Sequence, residues 1–219
     1  MDRHTEIKAG YSVYSPKSLK LYDFIVHGVS NRWLWRCPTD RLIELYNRNV
    51  TNEHLDIGVA TGILLDRASW PSRDPNITLL DPNIHCLEAA GARIARFSPE
   101  TVEADVFEPL PLETKFQSVS LCYLLHCLPG AMKDKAPAVF KNVSNVMEKG
   151  ATIFGATLLQ GEAPRNFTAK ALMNVYNKKG VFSNDQDTFE NLKAALEERF
   201  CSVSMERLGC AALFEAKLA

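Results

Sequence analysis

The six cysteines of this 219-residue chain include no C-x-x-C pair, and its 25 lysines and arginines nearly balance 26 aspartates and glutamates. Structural zinc sites usually take cysteines at that spacing, so no metal site is predicted, and we expect buried thiols in a reducing compartment. A net charge of −1 gives no broad basic face, which argues against nucleic acid as a partner. A small-molecule ligand is favoured instead.

No apolar segment approaches the length of a membrane span. The longest, residues 119–128, is interrupted by Ser120 and His126 and is followed by Pro129. The first ten residues are polar and charged, so no secretory signal is predicted. We therefore expect a cytoplasmic location without a membrane partner, while the sequence leaves the oligomeric state open.

Strand-like and helix-like segments alternate along most of the chain, which is typical of a doubly wound α/β fold with a parallel sheet. Strands are predicted at residues 55–57, 77–80, 101–106, 118–124 and 151–158, helices at 39–49, 63–68, 84–97, 133–147 and 187–200, and a final antiparallel hairpin at 201–207 and 210–218. This gives a seven-stranded domain over residues 39–219. Residues 1–38 are expected to form an N-terminal helical cap, and residues 160–186 an insertion or lid.

The turn after the first predicted strand carries one acidic residue and then three small ones, at Asp56, Gly58, Ala60 and Gly62. A dinucleotide loop instead needs glycines at the first, third and sixth positions of its run. A carboxylate would also repel a pyrophosphate at this helix N-terminus. It suits a ligand with ammonium and hydroxyl donors. An ordinary strand-to-helix turn is the alternative interpretation.

Asp81 closes the second predicted strand and is followed by Pro82. An acidic side chain at this place can accept hydrogen bonds from both hydroxyls of a ribose. Domains that bind NAD share this feature, so Asp81 indicates a ribose ligand without choosing between cofactors.

The segment from Asp56 to Gly62 resembles the first motif of class I S-adenosylmethionine-dependent methyltransferases, with Ala60 in place of the usual middle glycine. The resemblance implies a Rossmann-like fold and S-adenosylmethionine as cofactor. It further implies that Asp105 accepts from the adenine amine and that Val106 packs on the ring, although Asp105 could merely cap the following turn. Tyr123 and Leu124, at the end of the fourth strand, are assigned to the same cofactor site.

Residues 125–128, Leu-His-Cys-Leu, resemble the corresponding segment of small-molecule methyltransferases from fungal and bacterial natural-product pathways. Residues 30–38, 154–157 and 182–185 add to that resemblance. It implies methyl transfer to an oxygen of a secondary metabolite, for example an enolic hydroxyl of a polyketide pyrone. His126 is assigned as the general base because its ordinary pKa lies near neutrality. The alternative is that His126 lies behind the sheet, where it caps the helix predicted over residues 133–147 or bonds backbone.

Aromatic residues and arginines are concentrated in the predicted cap. Caps of this class use aromatic rings to surround the sulfonium by cation–π contact. Tyr14 is assigned to the cofactor, Arg36 to its carboxylate, and Tyr22 and Trp35 to the acceptor wall. The alternative is a helix over residues 18–29 that packs on the core, with Trp33 and Trp35 as hydrophobic anchors.

The segment 166–185 is expected to line the acceptor pocket through Phe167, Met173, Tyr176 and Phe182, and to act as a lid. A surface helix is the alternative. Two other functions stay open at this point. One is an NAD(P)-dependent oxidoreductase, and the other is a protein of the methyltransferase fold with a cyclase or regulatory role.

Overall fold

A computed structural model describes residues 23–160 and 167–219. A π-helical segment, Asp23–Leu34, precedes the sheet domain. The domain's helices are α1 (Thr39–Asn49), α2 (Ile63–Arg67), α3 (Ile84–Arg93), α4 (Met132–Ser144), α5 (Phe167–Lys178) and α6 (Phe189–Arg199). Its strands are β1 (Glu53–Ile57), β2 (Asn76–Asp81), β3 (Glu100–Glu103), β4 (Phe116–Cys122), β5 (Met147–Leu158), β6 (Cys201–Leu208) and β7 (Ala211–Lys217). Two short 3-10 helices, Ala95–Phe97 and Leu125–Cys127, complete the described elements.

The seven strands form one sheet in the order β3-β2-β1-β4-β5-β7-β6. The first five strands are parallel, whereas β7 runs antiparallel to both β5 and β6. The order reverses between β1 and β4, and ligands of open α/β sheets bind beyond the carboxyl ends of the strands at such a point. The predicted α/β fold with a C-terminal antiparallel hairpin is confirmed.

Some element boundaries differ from the prediction. The helix predicted over residues 133–147 ends at Ser144, and Met147 begins β5 because it pairs with Phe116 across the sheet. The helix predicted over 84–97 breaks after Arg93 into a 3-10 turn. The third strand ends at Glu103, so Asp105 and Val106 lie in the loop beyond it.

Both faces of the sheet are covered by helices, which explains why the parallel strands are apolar on both sides. On one face, α1, α2 and α3 contribute Leu45, Leu65 and Leu87 to a core that also holds Trp35. On the other face, α4 and α6 contribute a second core whose members include Val139, Phe140, Leu192 and Leu196. No helix among the described residues is long and apolar enough to cross a membrane.

A ladder of polar side chains crosses the first of these cores. His54 on β1 contacts the hydroxyls of Ser118 and Ser120 on β4, at 2.7 Å from Nδ1 and 3.1 Å from Nε2. Ser120 in turn donates to Asp56. Burial lowers the pKa of His54 to about 3, so the ring is neutral near pH 7. The ladder leads from the interior to the carboxyl end of β1.

Candidate active site

The loop between β1 and α2 has backbone angles that few residues adopt. Gly58, Ala60 and Gly62 have φ of 79°, 46° and 69°. A Cβ on Gly58 would lie 2.9 Å from Leu124 Cδ1, and one on Gly62 would lie 3.0 Å from the Cα of Ala90. Glycine is therefore required at both positions for conformation and for space. Ala60 adopts the left-handed region at a cost of about 1–2 kcal/mol.

An open cleft adjoins this loop, and its empty volume of about 350 Å³ includes open solvent. Its lining combines the end of β1, the glycine loop, the start of α2 and the end of β4. The lining residues are Tyr46, Asp56, residues 58–65, Cys122 and Tyr123. A cleft bounded by glycine backbone, one carboxylate and two tyrosines fits an amino-acid moiety better than it fits phosphate.

Asp56 is almost fully buried and is held by two donors. The Tyr46 hydroxyl lies 2.8 Å from Oδ1, and Ser120 donates to the same oxygen. Burial raises the pKa of Asp56 to about 6, while the hydrogen bonds from Ser120 and Tyr46 act in the opposite direction. The carboxyl group is therefore mostly ionised at pH 7, and a ligand ammonium would add a further partner.

Asp81, the last residue of β2, also lies among backbone donors. Its Oδ1 accepts from the Asn83 amide at 2.8 Å, and the amides of Val59 and Ala60 stabilise its charged form. Burial is the larger effect and raises the pKa of Asp81 to about 7, helped by the nearby charge of Asp56. The structure thus brings Asp56 and Asp81, two of the three acidic residues of the predicted site, together across the glycine loop.

The predicted adenine subsite is less enclosed. Asp105 is half-buried and its Oδ1 accepts from the Phe107 amide at 2.9 Å, which is the turn cap considered as the alternative. Val106 beside it is buried, and Pro82 is half-buried. Their assignments to the cofactor stay predictions.

Two further residues of the predicted cofactor site lie after β4. Tyr123 has a φ of 61°, lines the cavity and donates its amide to Ala156 at 2.7 Å. Leu124 is half-buried, and its side chain is the group that a Cβ on Gly58 would meet. Both therefore lie against the glycine loop.

His126 occupies the 3-10 turn that follows. Its ring is buried, packs edge-on against Phe182 with centroids 4.6 Å apart, and lies 5.7 Å from the Tyr123 ring. Nδ1 lies 3.3 Å from the Leu158 amide nitrogen, so backbone bonding, the alternative interpretation, is present. Burial, reinforced by the charge of Lys135, lowers the pKa of His126 to about 3. This environment does not favour the predicted role of general base.

Several residues assigned to the acceptor pocket form one aromatic cluster. Phe182 contacts Trp35 (centroids 6.3 Å apart), Tyr176 (4.9 Å) and His126, and Met173 is buried in the same core. Phe167 lies apart, because its side chain is 86% exposed at the start of α5. Trp35 is buried against the core and therefore also serves as the packing anchor of the alternative interpretation.

Of the remaining residues assigned to the cap, the structure describes only Arg36. Tyr14 and Tyr22 lie outside the described residues. Arg36 has an exposed side chain and a φ of 54°, next to Gly209 of the β6–β7 turn. The described part of the cap does reach the glycine loop, because Asp23 accepts from the Thr61 hydroxyl and pairs with Arg93 of α3.

Sequence reasoning missed the residues that support the site from elsewhere in the chain. Tyr46 and Ser120 hold Asp56, and Asp23 holds Thr61. The buried ion pair between Lys135 and Asp187 was also missed. The only local sign of these contacts was the pair of serines at 118 and 120, which alternate with apolar residues in a buried strand and so indicate a polar partner on one face of the sheet.

All six cysteines are free thiols. Among residues 23–160 and 167–219, no group of histidine, cysteine, aspartate and glutamate side chains could hold a metal ion.

No protein-family model matches the sequence, but full-length relatives are found. The chain is 36% identical to demethylluteothin O-methyltransferase of Streptomyces thioluteus, over 94% of this chain and 90% of the relative. It is 35% identical to the physcion biosynthesis cluster O-methyltransferase of Aspergillus chevalieri, over 99% and 98%.

A solved structure shares the fold. The N-methyltransferase NodS of Bradyrhizobium japonicum, in complex with S-adenosylhomocysteine, superposes with a TM-score of 0.62 over 92% of this chain and 97% of that one. Because the two sequences are only 14% identical, this likeness concerns the fold alone.

Proposed function

The chain belongs to the family of S-adenosylmethionine-dependent methyltransferases that contains O-methyltransferases of bacterial and fungal secondary metabolism, and we propose that it methylates an oxygen of such a metabolite. The proposal rests on the sequence similarity, over nearly the whole length of both chains, to enzymes named O-methyltransferases. Nothing in these relatives favours an oxidoreductase or a non-catalytic role. The near-neutral charge and free thiols support a cytoplasmic enzyme with a small-molecule substrate.

The cofactor, when bound, supplies an electrophilic methyl group on a sulfonium. In our proposal, Asp56 accepts from its ammonium and Asp81 from the ribose hydroxyls, while Asp105 accepts from the adenine amine and Val106 packs on the ring. Gly58 and Gly62 let the loop follow its path past Leu124 and Ala90, since a side chain at either glycine would be strained and would meet those residues. In this proposal, the described part of the cap, residues 23–38, lies beside the site, where Asp23 accepts from the Thr61 hydroxyl.

The acceptor hydroxyl is proposed to be acidic, as in an enolic pyrone. Such a group is largely ionised at neutral pH, so the protein would act mainly by positioning it in line with the sulfonium. This fits a site whose histidine is a poor base. The aromatic cluster around Phe182 would form one wall of the acceptor space.

Incubation with methyl-labelled S-adenosylmethionine tests this function. We expect label on an oxygen of 4-hydroxy-6-methyl-2-pyrone or a related enol, with the position assigned by NMR. Label found only on nitrogen or carbon acceptors would overturn the O-methyltransferase assignment.

Binding of S-adenosylhomocysteine, measured by calorimetry, tests the cofactor site separately. Asp81→Ala should weaken it by about 1.5–3 kcal/mol, the value of a hydrogen bond to a charged group. Asp74→Asn, on an exposed loop, should leave it unchanged. Equal affinity of the Asp81 variant and the unmodified enzyme would refute the ribose assignment.

A further inference from the structure

His126 lies between the cofactor cavity and the acceptor segment. It follows β4 at the carboxyl edge of the sheet, where Tyr123 on one side lines the cavity and Phe182 on the other belongs to the aromatic cluster. The main chain fixes this place, since the Ser183 amide donates to the His126 carbonyl at 2.8 Å. A group on this ring is therefore well placed to meet a substrate atom next to the transferred methyl.

The main chain of β5 also fixes the state of the ring. The Leu158 amide can only donate, and at 3.3 Å from Nδ1 it requires that nitrogen to be the unprotonated acceptor. The Thr157 hydroxyl, 3.4 Å from the same atom, can add a weaker contact. In a neutral imidazole the proton then resides on Nε2. Among the residues that the structure describes, none hydrogen-bonds that Nε2.

The charged groups near the ring keep it neutral. Lys135 on α4 is the charge that acts on it, and this ammonium is itself paired with Asp187 at 2.9 Å and bonded to the carbonyls of Leu128 and Ser183. Tyr123 and Phe182 contact the ring as aromatic neighbours. With its pKa lowered to about 3, His126 does not take up a proton under the conditions in which the enzyme would work.

We infer that His126 is a catalytic hydrogen-bond donor whose Nε2–H binds the ionised acceptor oxygen, and that it is not the base that deprotonates it. This rests on the proposed O-methyl transfer. In the step itself, the acceptor oxygen forms a bond to the methyl carbon as the carbon–sulfur bond breaks, and the electron pair of that bond stays on sulfur. The acceptor proton leaves for solvent before binding, so no proton passes to the protein.

The Nε2–H of His126 would change both the ionisation and the position of the acceptor oxygen. A hydrogen bond to the charged form of a group lowers its pKa. An Nε2–H aimed at the oxygen would therefore raise the fraction of acceptor that is ionised in the site. It would also hold the oxygen in line with the methyl group.

Histidine ¹⁵N NMR tests the ring state without any turnover. In the enzyme with S-adenosylhomocysteine, His126 should show a protonated Nε2 and an unprotonated Nδ1, unchanged between pH 5 and pH 9. His126→Gln identifies the signal. A resonance that titrates near pH 6.5, or the opposite tautomer, would overturn the inference.

Two substitutions then separate a donor from a base and from a structural role. Glutamine reaches the place of Nε2 and can donate there, whereas asparagine reaches only Nδ1 and can keep the bond from Leu158. We expect His126→Gln to keep kcat/KM within about 10-fold, and His126→Asn to lose about 100-fold, as when one oxyanion donor is removed. Equal loss in both variants would indicate a base, and an active asparagine variant would indicate a structural role; either result contradicts the inference.

The pH dependence of kcat/KM with acceptors of different pKa gives a third test. With 4-hydroxy-6-methyl-2-pyrone and a less acidic phenol, the pH profile of kcat/KM should follow the acceptor and not the histidine. If both variants bind S-adenosylhomocysteine as the unmodified enzyme does, any loss of activity comes from the changed His126 side chain. If instead the unmodified enzyme does not bind S-adenosylhomocysteine, or transfers no methyl group to oxygen, that result counts against the proposed function.

Discussion

Replacing Tyr46 by phenylalanine removes a single oxygen and tests how Asp56 is kept ionised. The Tyr46 hydroxyl lies 2.8 Å from Oδ1 of Asp56, whose pKa is already about 6 because it is buried. A hydrogen bond to a charged group contributes about 2 kcal/mol, which corresponds to about 1.5 pKa units. The pKa of Asp56 in Tyr46→Phe should therefore rise to about 7.5.

The consequence for the cofactor follows from ionisation. At pH 7 the charged fraction of Asp56 would fall from about nine-tenths to about a quarter, so S-adenosylhomocysteine should bind about fourfold more weakly if its ammonium needs that carboxylate. At pH 9 Asp56 is ionised in both proteins, and the two affinities should agree within about twofold. Isothermal titration calorimetry at the two pH values measures both.

Ser118→Ala is the matched control. Ser118 lies two residues before Ser120 on β4 and bonds His54 at 2.7 Å, but it makes no bond to Asp56. Its loss should lower the melting temperature without changing cofactor affinity at either pH. An equal loss of affinity at pH 7 and pH 9 in Tyr46→Phe would refute the ionisation argument, and so would no loss at all.

Three further predictions concern folding and pH. Gly62→Ala should destabilise the protein by about 1–2 kcal/mol, because its φ is 69° and the new Cβ would approach the Ala90 backbone, as chemical denaturation can measure. Lys135→Met should lower the free energy of unfolding by about 3–5 kcal/mol, because it leaves Asp187 buried without its ion partner. The double variant that also carries Asp187→Leu should recover most of that loss. A double variant no more stable than the single one contradicts this prediction. As pH falls below 6.5, the unfolded chain protonates His54 but the folded chain does not, so this group lowers stability by about 2 kcal/mol at pH 5. His54→Gln should remove that part of the acid sensitivity, and identical unfolding curves against pH in the two proteins would contradict it.

Much of the fold could be predicted because its signals are local. The helix over residues 39–49 was predicted with the boundaries that the structure gives, since an amphipathic pattern and the flanking Pro38 define it within eleven residues. Boundaries set by pairing were less accurate. Met147 continues a helical pattern in sequence, and only its partner Phe116 places it in a strand.

The sequence by itself determined the order of strands and helices, the acidic residues at the ends of β1 and β2, and the small-residue loop between β1 and α2. Each depends on residues that are neighbours along the chain, where hydrophobic periodicity and backbone preference act directly. Only the tertiary structure decided the chemical state of those groups. Asp56 owes its ionisation to Tyr46 and Ser120, and His126 owes its tautomer to the amide of Leu158. Burial and hydrogen bonding between distant segments set pKa values and proton positions, and no pattern along the chain encodes which distant segments will meet.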